Sequence, residues 1–190
     1  MAQQKLKKYQ EKKFEYYKDI NQVTYNDNEA YITIKVDELS KVISDYSLPG
    51  EEILNDKFLQ LIEEKASFIS MDTPLVLEIH NDTLTSEEKI LVRKLLKNYF
   101  DLKKTSNIIE LNKIKRKSCF FLIVGIIGFI ISIGLLYTEY LRGLREIISF
   151  LGSFSIWEFF ELRLFELDDI NEEIIKYDHY SKIRVVFDKI

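Results

Sequence analysis

The longest uncharged run of the chain dominates its hydrophobic pattern. Residues 118–137 read SCFFLIVGIIGFIISIGLLY, twenty residues without a charged side chain. A helix of this length is about 30 Å long, which matches the hydrocarbon layer of a bilayer. We therefore predict a transmembrane helix over 118–137. The alternative is a helix buried in a soluble core, but a chain of 190 residues has little other apolar mass to surround it.

A second apolar segment follows at 144–164, and its uncharged part is shorter. Only 147–157 lacks charge, about 16 Å of helix, so a full crossing requires Glu158 to enter the membrane. The other charged residues of the segment can reach the two interfaces by snorkelling. We predict a two-helix transmembrane hairpin over 118–164. An interfacial or re-entrant second helix is the alternative, and a single crossing would place the acidic C-terminal tail outside.

Basic residues next to the first span predict the orientation of the hairpin. Loops rich in Lys and Arg stay in the cytoplasm, so both termini are expected there. Lys is far more frequent than Arg, and Ile and Asn are common, which is typical of AT-rich bacterial genomes; we predict the bacterial inner membrane. The basic residues before the first span are Lys103, Lys104, Lys113, Lys115, Arg116 and Lys117, against Arg142 and Arg145 in the turn.

Outside the predicted membrane segments, three short runs are rich in β-branched and aromatic residues. These are AYITIKV at 30–36, PLVLEIH at 74–80 and KIRVVFD at 182–188. Isolated strands leave unpaired edges, so we expect the three to pair in one small three-stranded sheet. The predicted fold class is α+β, with the transmembrane hairpin inserted before the last strand.

Helical periodicity is predicted between these strands. Asp37 is a suitable N-cap for a helix over 38–46, and Pro49 breaks the chain before a clearly amphipathic segment. Thr85, followed by Ser86 and two glutamates, predicts the start of a helix that can continue, with a bend near 105–107, into the first span. A short acidic helix is expected over 168–180.

We divide the chain into four segments. The first, 1–20, is basic, with six lysines against three acids, and it can either lie on anionic lipid or remain a solvated tail. Residues 21–117 are the predicted cytoplasmic α+β region with a juxtamembrane helix. The hairpin at 118–164 follows, and 165–190 form the C-terminal helix and closing strand.

Composition argues against several kinds of chemistry. The formal net charge of −4 argues against a nucleic-acid partner. His80 and His179 have no metal-ligand spacing, and the single cysteine, Cys119, cannot form an internal disulfide. Four of the six glycines lie in the predicted spans and Gly143 lies in the turn between them, which leaves only Gly50 in the cytoplasm and no phosphate-binding loop. We predict no cofactor, no metal and no enzymatic activity.

Trp157 and Glu158 are the candidate functional residues inside the membrane. An ionisable side chain in a membrane segment suggests a function, and an oligomer that gathered several Glu158 carboxylates would form a proton- or cation-sensitive site. The simpler interpretation is that Trp157 anchors at the interface and Glu158 pairs with Arg116 or Lys117.

Small side chains recur in both spans and allow close approach of the two helices. They would pack the hairpin on itself, and they would also permit a homo-oligomer. These residues are Gly125, Gly128 and Ser132 in the first span, and Ser149, Gly152, Ser153 and Ser155 in the second.

Three stretches of the sequence are similar to segments of known proteins: IWEFFELRLFE at 156–166, KIRVVF at 182–187 and SLPGEEILNDKFLQLIEEKASFIS at 47–70. Through them the chain resembles a broad group of small bacterial proteins, in which a β/α cytoplasmic region precedes two membrane spans. In that group a Trp followed by an acidic or polar residue lies in the second span. The resemblance covers most of 30–188 and implies this topology, without an activity.

Two functional hypotheses follow. In the first, the chain is a non-enzymatic anchor whose cytoplasmic α+β region binds a protein or small ligand while the hairpin localises or oligomerises it in the lipid bilayer. In the second, it is a small oligomeric channel or membrane-perturbing effector, gated by the cytoplasmic region, with Glu158 in its spans.

Overall fold

The computed structural model describes residues 23–26, 28–48 and 50–188, and these form two compact units. Residues 23–103 and 175–188 form an α+β unit, called here the sheet unit. Residues 104–174 form an all-helical unit, called here the helix-pair unit. The basic segment predicted at 1–20 lies outside the described residues.

The sheet unit contains a four-stranded sheet in the order β1-β2-β3-β4. The strands are β1 (Val23–Asn26), β2 (Glu29–Lys35), β3 (Leu75–His80) and β4 (Arg184–Asp188). The first pair is antiparallel, and β2, β3 and β4 run parallel. The α+β class is confirmed, whereas the prediction of three strands is wrong. Strand β1 was missed because it has only four residues, which is too short a run for alternation to identify a strand.

Two of the helices begin at side-chain caps. In α1 (Asp56–Ala66) the Asn55 side chain accepts a hydrogen bond of 2.9 Å from the Lys57 amide. Helix α2 (Ser86–Gly134) begins with a capping box. The Thr85 amide donates to the Glu88 carboxylate at 2.7 Å, and the Glu88 amide donates to the Thr85 hydroxyl at 3.3 Å. The local sequence thus determines both helix starts.

The prediction of a helix over 38–46 is wrong. Only a short 3₁₀ turn forms, Leu39–Lys41, and its first residue has no side-chain cap. Directly after it, Ile43 makes an antiparallel β-bridge with Leu54. This tertiary pairing takes the backbone groups that a longer helix would have used, and propensity alone is too weak to prevent it.

The core of the sheet unit lies between the sheet and three helical segments. Ile32 and Leu77 on neighbouring strands are fully buried, as are Ile62 on α1 and Phe100 on α2. Tyr180 completes the core from α4 (Leu167–Ser181), and its ring is 5.6 Å from the Phe100 ring. Large apolar side chains therefore fill the interior of this unit.

The helix-pair unit contains most of α2 and all of α3 (Arg142–Glu161). Two short 3₁₀ turns, Leu135–Tyr137 and Glu139–Leu141, connect them, and a π-helix, Leu162–Glu166, leads from α3 to α4. Within the described residues, one helical stretch, Ser86–Tyr137, is long and apolar enough to cross a membrane by length and composition. Two such helices were predicted, but α3 is not apolar enough by this criterion because it carries five charged side chains in twenty residues.

Candidate functional site

Glycines bring the backbones of α2 and α3 together. A Cβ atom added to Gly125 would lie 2.5 Å from the Ile156 side chain and 3.1 Å from the Gly152 carbonyl oxygen. One added to Gly128 would lie 3.2 Å from the Gly152 Cα. The structure thus joins three of the predicted packing residues, Gly125, Gly128 and Gly152, at one contact. Any larger side chain there would push the two backbones apart.

The serines of the two helices divide between the contact and the outer surface. Ser132 and Ser155 are buried, and the Ser132 hydroxyl donates to the Arg145 carbonyl at 3.5 Å. The Ser155 hydroxyl donates to the Leu151 carbonyl one turn earlier, at 2.9 Å. Ser153, by contrast, is exposed and bonds the Ser149 carbonyl of its own helix. Ser153 therefore does not belong to the contact.

Large apolar side chains cover the outside of the helix pair. Only 11% of the most apolar window of the α2 span is buried, so these side chains face outward. The arrangement is the reverse of a soluble helical bundle, where the large apolar residues lie inside. The exposed residues include Phe120, Ile123, Ile126, Ile127, Ile130 and Ile133 on α2, and Leu144, Ile147, Phe150, Leu151, Phe154, Trp157 and Phe160 on α3.

Trp157 and Glu158 face different surroundings, because neighbouring helical residues differ in direction by about 100°. The Trp157 ring is 66% exposed on the outer surface. Glu158 points toward α2, where its carboxylate lies 3.4 Å from the Lys117 ammonium. Lys117 was one of the two partners expected from the sequence. The ammonium group also lies 5.8 Å from the centre of the Phe121 ring.

A small apolar cluster lies beyond this ion pair. Ile114, Leu162 and Leu167 are buried together. Four residues after Leu162 comes Glu166, which is exposed, and five residues after it comes Leu167. The π-helix inserts one extra residue per turn, so Leu167 rather than Glu166 meets Ile114. The irregular turn keeps a carboxylate out of the apolar contact.

A second polar cluster lies in the sheet unit, around Glu63 of α1. Its carboxylate accepts from the Tyr99 hydroxyl at 3.4 Å and from the Tyr177 hydroxyl at 3.5 Å, and it lies 3.9 Å from the Lys176 ammonium. Among the described residues, the buried Tyr180 hydroxyl has no hydrogen-bond partner. Nothing in the local sequence distinguishes Glu63 from other helical carboxylates, because its partners lie on helices far away in the chain.

Burial and the Glu63 carboxylate act together on the phenols of this cluster. Burial first, and the negative charge of Glu63 second, raise the pKa of Tyr99 to about 12. The same two causes raise the pKa of Tyr180 above its usual range. Both effects favour the neutral phenol, so these tyrosines serve as hydrogen-bond donors and buried apolar surface.

The described part of the chain contains no group of three His, Cys, Asp or Glu side chains positioned to hold a metal ion. His80 lies 3.6 Å from Glu78, and His179 Nε2 lies 2.7 Å from the Thr73 carbonyl oxygen. The two histidines therefore contact different groups. His80 is the last residue of β3, and His179 lies in α4.

Comparison with protein-family models, curated proteins and solved structures finds no match to this chain. The resemblance to small bacterial two-span proteins therefore stays a prediction.

Proposed function

We propose that this chain is a non-enzymatic anchor of the bacterial inner membrane. Helices α2 and α3 cross the bilayer as a pair over 118–164, and both termini lie in the cytoplasm. The sheet unit binds a cytoplasmic protein or small ligand. The observation that carries this proposal is the reversed pattern of the helix pair, with glycine and serine inside and large apolar side chains outside.

The reversed pattern is what a lipid solvent favours. In lipid, large apolar residues gain nothing from burial against each other, and helices associate through close backbone contact at small residues. In water, the same surface would be an exposed apolar patch far larger than soluble monomers tolerate. The apolar window also lies in the middle of the chain and is mostly exposed, which distinguishes it from a signal sequence and from a core helix.

The second crossing is supported by length and by charge pairing. Helix α3 has 20 residues, about 30 Å, although its uncharged part is shorter. Glu158, the acid nearest the membrane interior, is paired with Lys117 of the neighbouring helix. At the other end, Arg142 pairs with Glu146 at 3.3 Å. Pairing lowers the cost of placing these charges near the hydrocarbon layer.

Single-cysteine labelling tests the topology. In a Cys119→Ser background, Tyr140→Cys places a thiol at a fully exposed position in the turn between α2 and α3, and Lys182→Cys places one after α4. A membrane-impermeant maleimide should label Tyr140→Cys in intact spheroplasts and Lys182→Cys only after lysis. Labelling of both cysteines in intact spheroplasts would mean that the chain crosses the membrane only once. Release of the protein by alkaline carbonate would overturn the anchor altogether.

An oligomeric channel with Glu158 in its spans is the second candidate. It is favoured by the position of a partly buried carboxylate, 24% exposed, within the membrane pair. It is weakened by the pairing of that carboxylate with Lys117, which leaves less charge to face a pore. Ion flux in proteoliposomes that changes with Glu158→Gln would favour the channel, and replacing both spans with an unrelated hairpin without loss of function would favour the anchor.

A further inference from the structure

Strand β4 forms one edge of the sheet. In the described part of the chain, β3 is the only strand that pairs with it. The Asn81 amide, directly after β3, donates to the Asp188 carbonyl, so the backbone of Asp188 faces β3. Backbone groups alternate in direction along a strand, so those of Val185 and Phe187 point away from the sheet. An edge of this kind is where a further strand can pair.

Three basic side chains of α2, called here the basic row, lie along this edge. The Arg93 guanidinium donates from Nε to the Val185 carbonyl at 3.1 Å and lies 5.0 Å from the centre of the Phe187 ring. The Lys89 ammonium lies 5.7 Å from the centre of the same ring. One turn further along α2, Lys97 borders a cavity of about 170 Å³ beside the start of β4. The cavity is lined by Arg93, Leu96, Lys97, Ser181, Ile183 and Val185.

The charge of the basic row is not neutralised by ion pairs. Within the described part of the chain, no ion pair involves Lys89, Arg93 or Lys97, and the last two are exposed. Glu87 lies two residues before Lys89, and residues two apart on a helix do not face each other. Other acids near this edge interact with groups outside the row: Glu88 with Thr85, Asp178 with Lys182, Glu29 with Arg184, and Asp101 and Asp188 with further groups. The row therefore remains open to a carboxylate from outside.

The spacing of the basic row matches that of an extended chain. Its members are four residues apart, about 6 Å along a helix. Side chains on one face of a strand are two residues apart, about 6.6 Å. The whole row rises about 12 Å along α2, and residues 183–187 of the strand region extend about 13 Å. A strand added beside β4 can thus place three alternate side chains opposite the three cations.

We propose that the edge of β4 binds an extended segment of a partner protein that carries an acidic residue at every second position. The backbone of the segment pairs with the outward groups of Val185 and Phe187, and its carboxylates meet the basic row. An amide of the segment takes over the Val185 carbonyl, which frees the Arg93 guanidinium for a carboxylate.

The charge pattern selects a partner protein over other parts of this chain. A second copy of β4 would bring only one acid, Asp188, and the segment 1–20 carries more lysines than acids. Neither supplies alternating carboxylates. The inference names a partner class for the binding role proposed for the sheet unit, and it rests on that role.

Peptide binding to the full chain in uncharged detergent micelles, measured by fluorescence anisotropy, tests this inference. The probe is a labelled peptide of sequence Thr-Asp-Val-Glu-Val-Asp-Thr. The control peptide, Thr-Val-Val-Asp-Glu-Asp-Thr, has the same composition and charge but lets only two acids share a face. The probe should bind about fivefold more tightly than the control peptide, because it makes one more carboxylate contact. Equal binding of the two peptides, or no binding of the probe, would overturn the inference.

Charge reversal on the protein tests the basic row. Lys97→Glu should weaken binding of the probe about tenfold, because a carboxylate would then meet a carboxylate. The matched control is Lys57→Glu, on the exposed side of α1, a helix that contacts β2. It should leave the affinity within about twofold, since exposed charges far from the bound peptide are screened by salt. Equal effects of the two reversals would contradict a role for the basic row.

A backbone variant tests the strand pairing itself. Val185→Pro removes an N–H group that points away from β3, so the ladder with β3 can remain while the edge is blocked. Circular dichroism checks that the fold is kept, and Lys97→Glu still tests the inference if it is not. A folded Val185→Pro that binds the probe like the wild type would overturn the pairing. A dimer of the wild type that Val185→Pro abolishes would assign this edge to a second copy instead.

Membrane integration is checked separately by carbonate extraction of the same variants. An integrated protein that does not bind the probe contradicts this inference alone. A protein that carbonate releases contradicts the proposed anchor and leaves the result of the peptide measurement unaffected.

Discussion

The two units of this chain place the same kinds of side chain in opposite positions. In the sheet unit, Phe100 is fully buried among aromatic rings and most charges lie outside. In the helix-pair unit, Phe150 is 70% exposed, and glycine and serine form the contact between α2 and α3. Hydrophobic burial explains the first unit, and the membrane insertion that we propose would explain the second through close backbone packing in lipid. Burial therefore has to be judged against the solvent that each unit meets.

Truncating a phenylalanine in each unit should show the largest contrast. Phe100→Ala removes a ring that packs 5.3 Å from Tyr99 and 5.6 Å from Tyr180, and it should lower the free energy of unfolding by about 3–5 kcal/mol. Phe150→Ala should change it by less than about 0.5 kcal/mol. Urea unfolding of the protein in micelles measures both. Similar losses would mean that Phe150 is packed against protein.

Enlarging small residues tests the helix contact itself. Gly152→Leu must displace the Gly125 carbonyl, which lies 3.3 Å from the added Cβ position, and it should cost about 1–3 kcal/mol. Ser153→Leu, one residue along on the exposed side, is the matched control and should be close to neutral. The same unfolding measurement applies. Equal stability of the two variants would contradict the glycine contact between α2 and α3.

The ion pair between the two helices should contribute less. A double-mutant cycle with Lys117→Gln and Glu158→Gln should give a coupling energy of about 0.2–1 kcal/mol, because the lysine is half exposed and the distance is 3.4 Å. The coupling should weaken in high salt if the pair lies at the interface. A coupling of zero in low salt would show that the two side chains do not interact in the membrane.

The last prediction concerns the tyrosines around Glu63, whose effect appears only at alkaline pH. The pKa of Tyr99 is raised from 10.0 to about 12, so the folded state binds its proton more tightly than the unfolded chain does. This contribution to stability is fully present below pH 10 and is lost as the pH rises toward 12. Ultraviolet titration of tyrosinate follows it. Glu63→Gln should lower the pKa of Tyr99, and an unchanged titration would contradict the role of the carboxylate.

Several local features were predictable because their signals lie within a few residues. The capping box at Thr85 and Glu88 needs only four consecutive residues, and the short run of apolar and β-branched residues after Pro74 identifies β3 directly. The helix over 38–46 failed because the bridge between Ile43 and Leu54 is formed across eleven residues and overrides propensity. Strand β1 was not predicted because four residues are too few to show a periodic pattern.

The site residues were likewise predictable only where their signal is local in the sequence. The small residues of α2 and α3 could be recognised from the sequence, but the sequence could not separate Gly152, which touches α2, from Ser153, which does not. The Glu63 cluster was missed because its tyrosines lie on α2 and α4, far away along the chain. Side chains that meet only through the chain path leave no periodic signal.

Length, alternation and charge are local properties, so the sequence was enough to identify the apolar stretch at 118–137, the α+β class, and Arg116 and Lys117 as the two candidate partners of Glu158. The tertiary structure alone decided the choice of Lys117 over Arg116 and the alignment of the glycines. It also decided the π-turn that exchanges Glu166 for Leu167. These contacts depend on how each helix is rotated about its axis. A shift of one residue along a helix turns the direction of the side chain by about 100°.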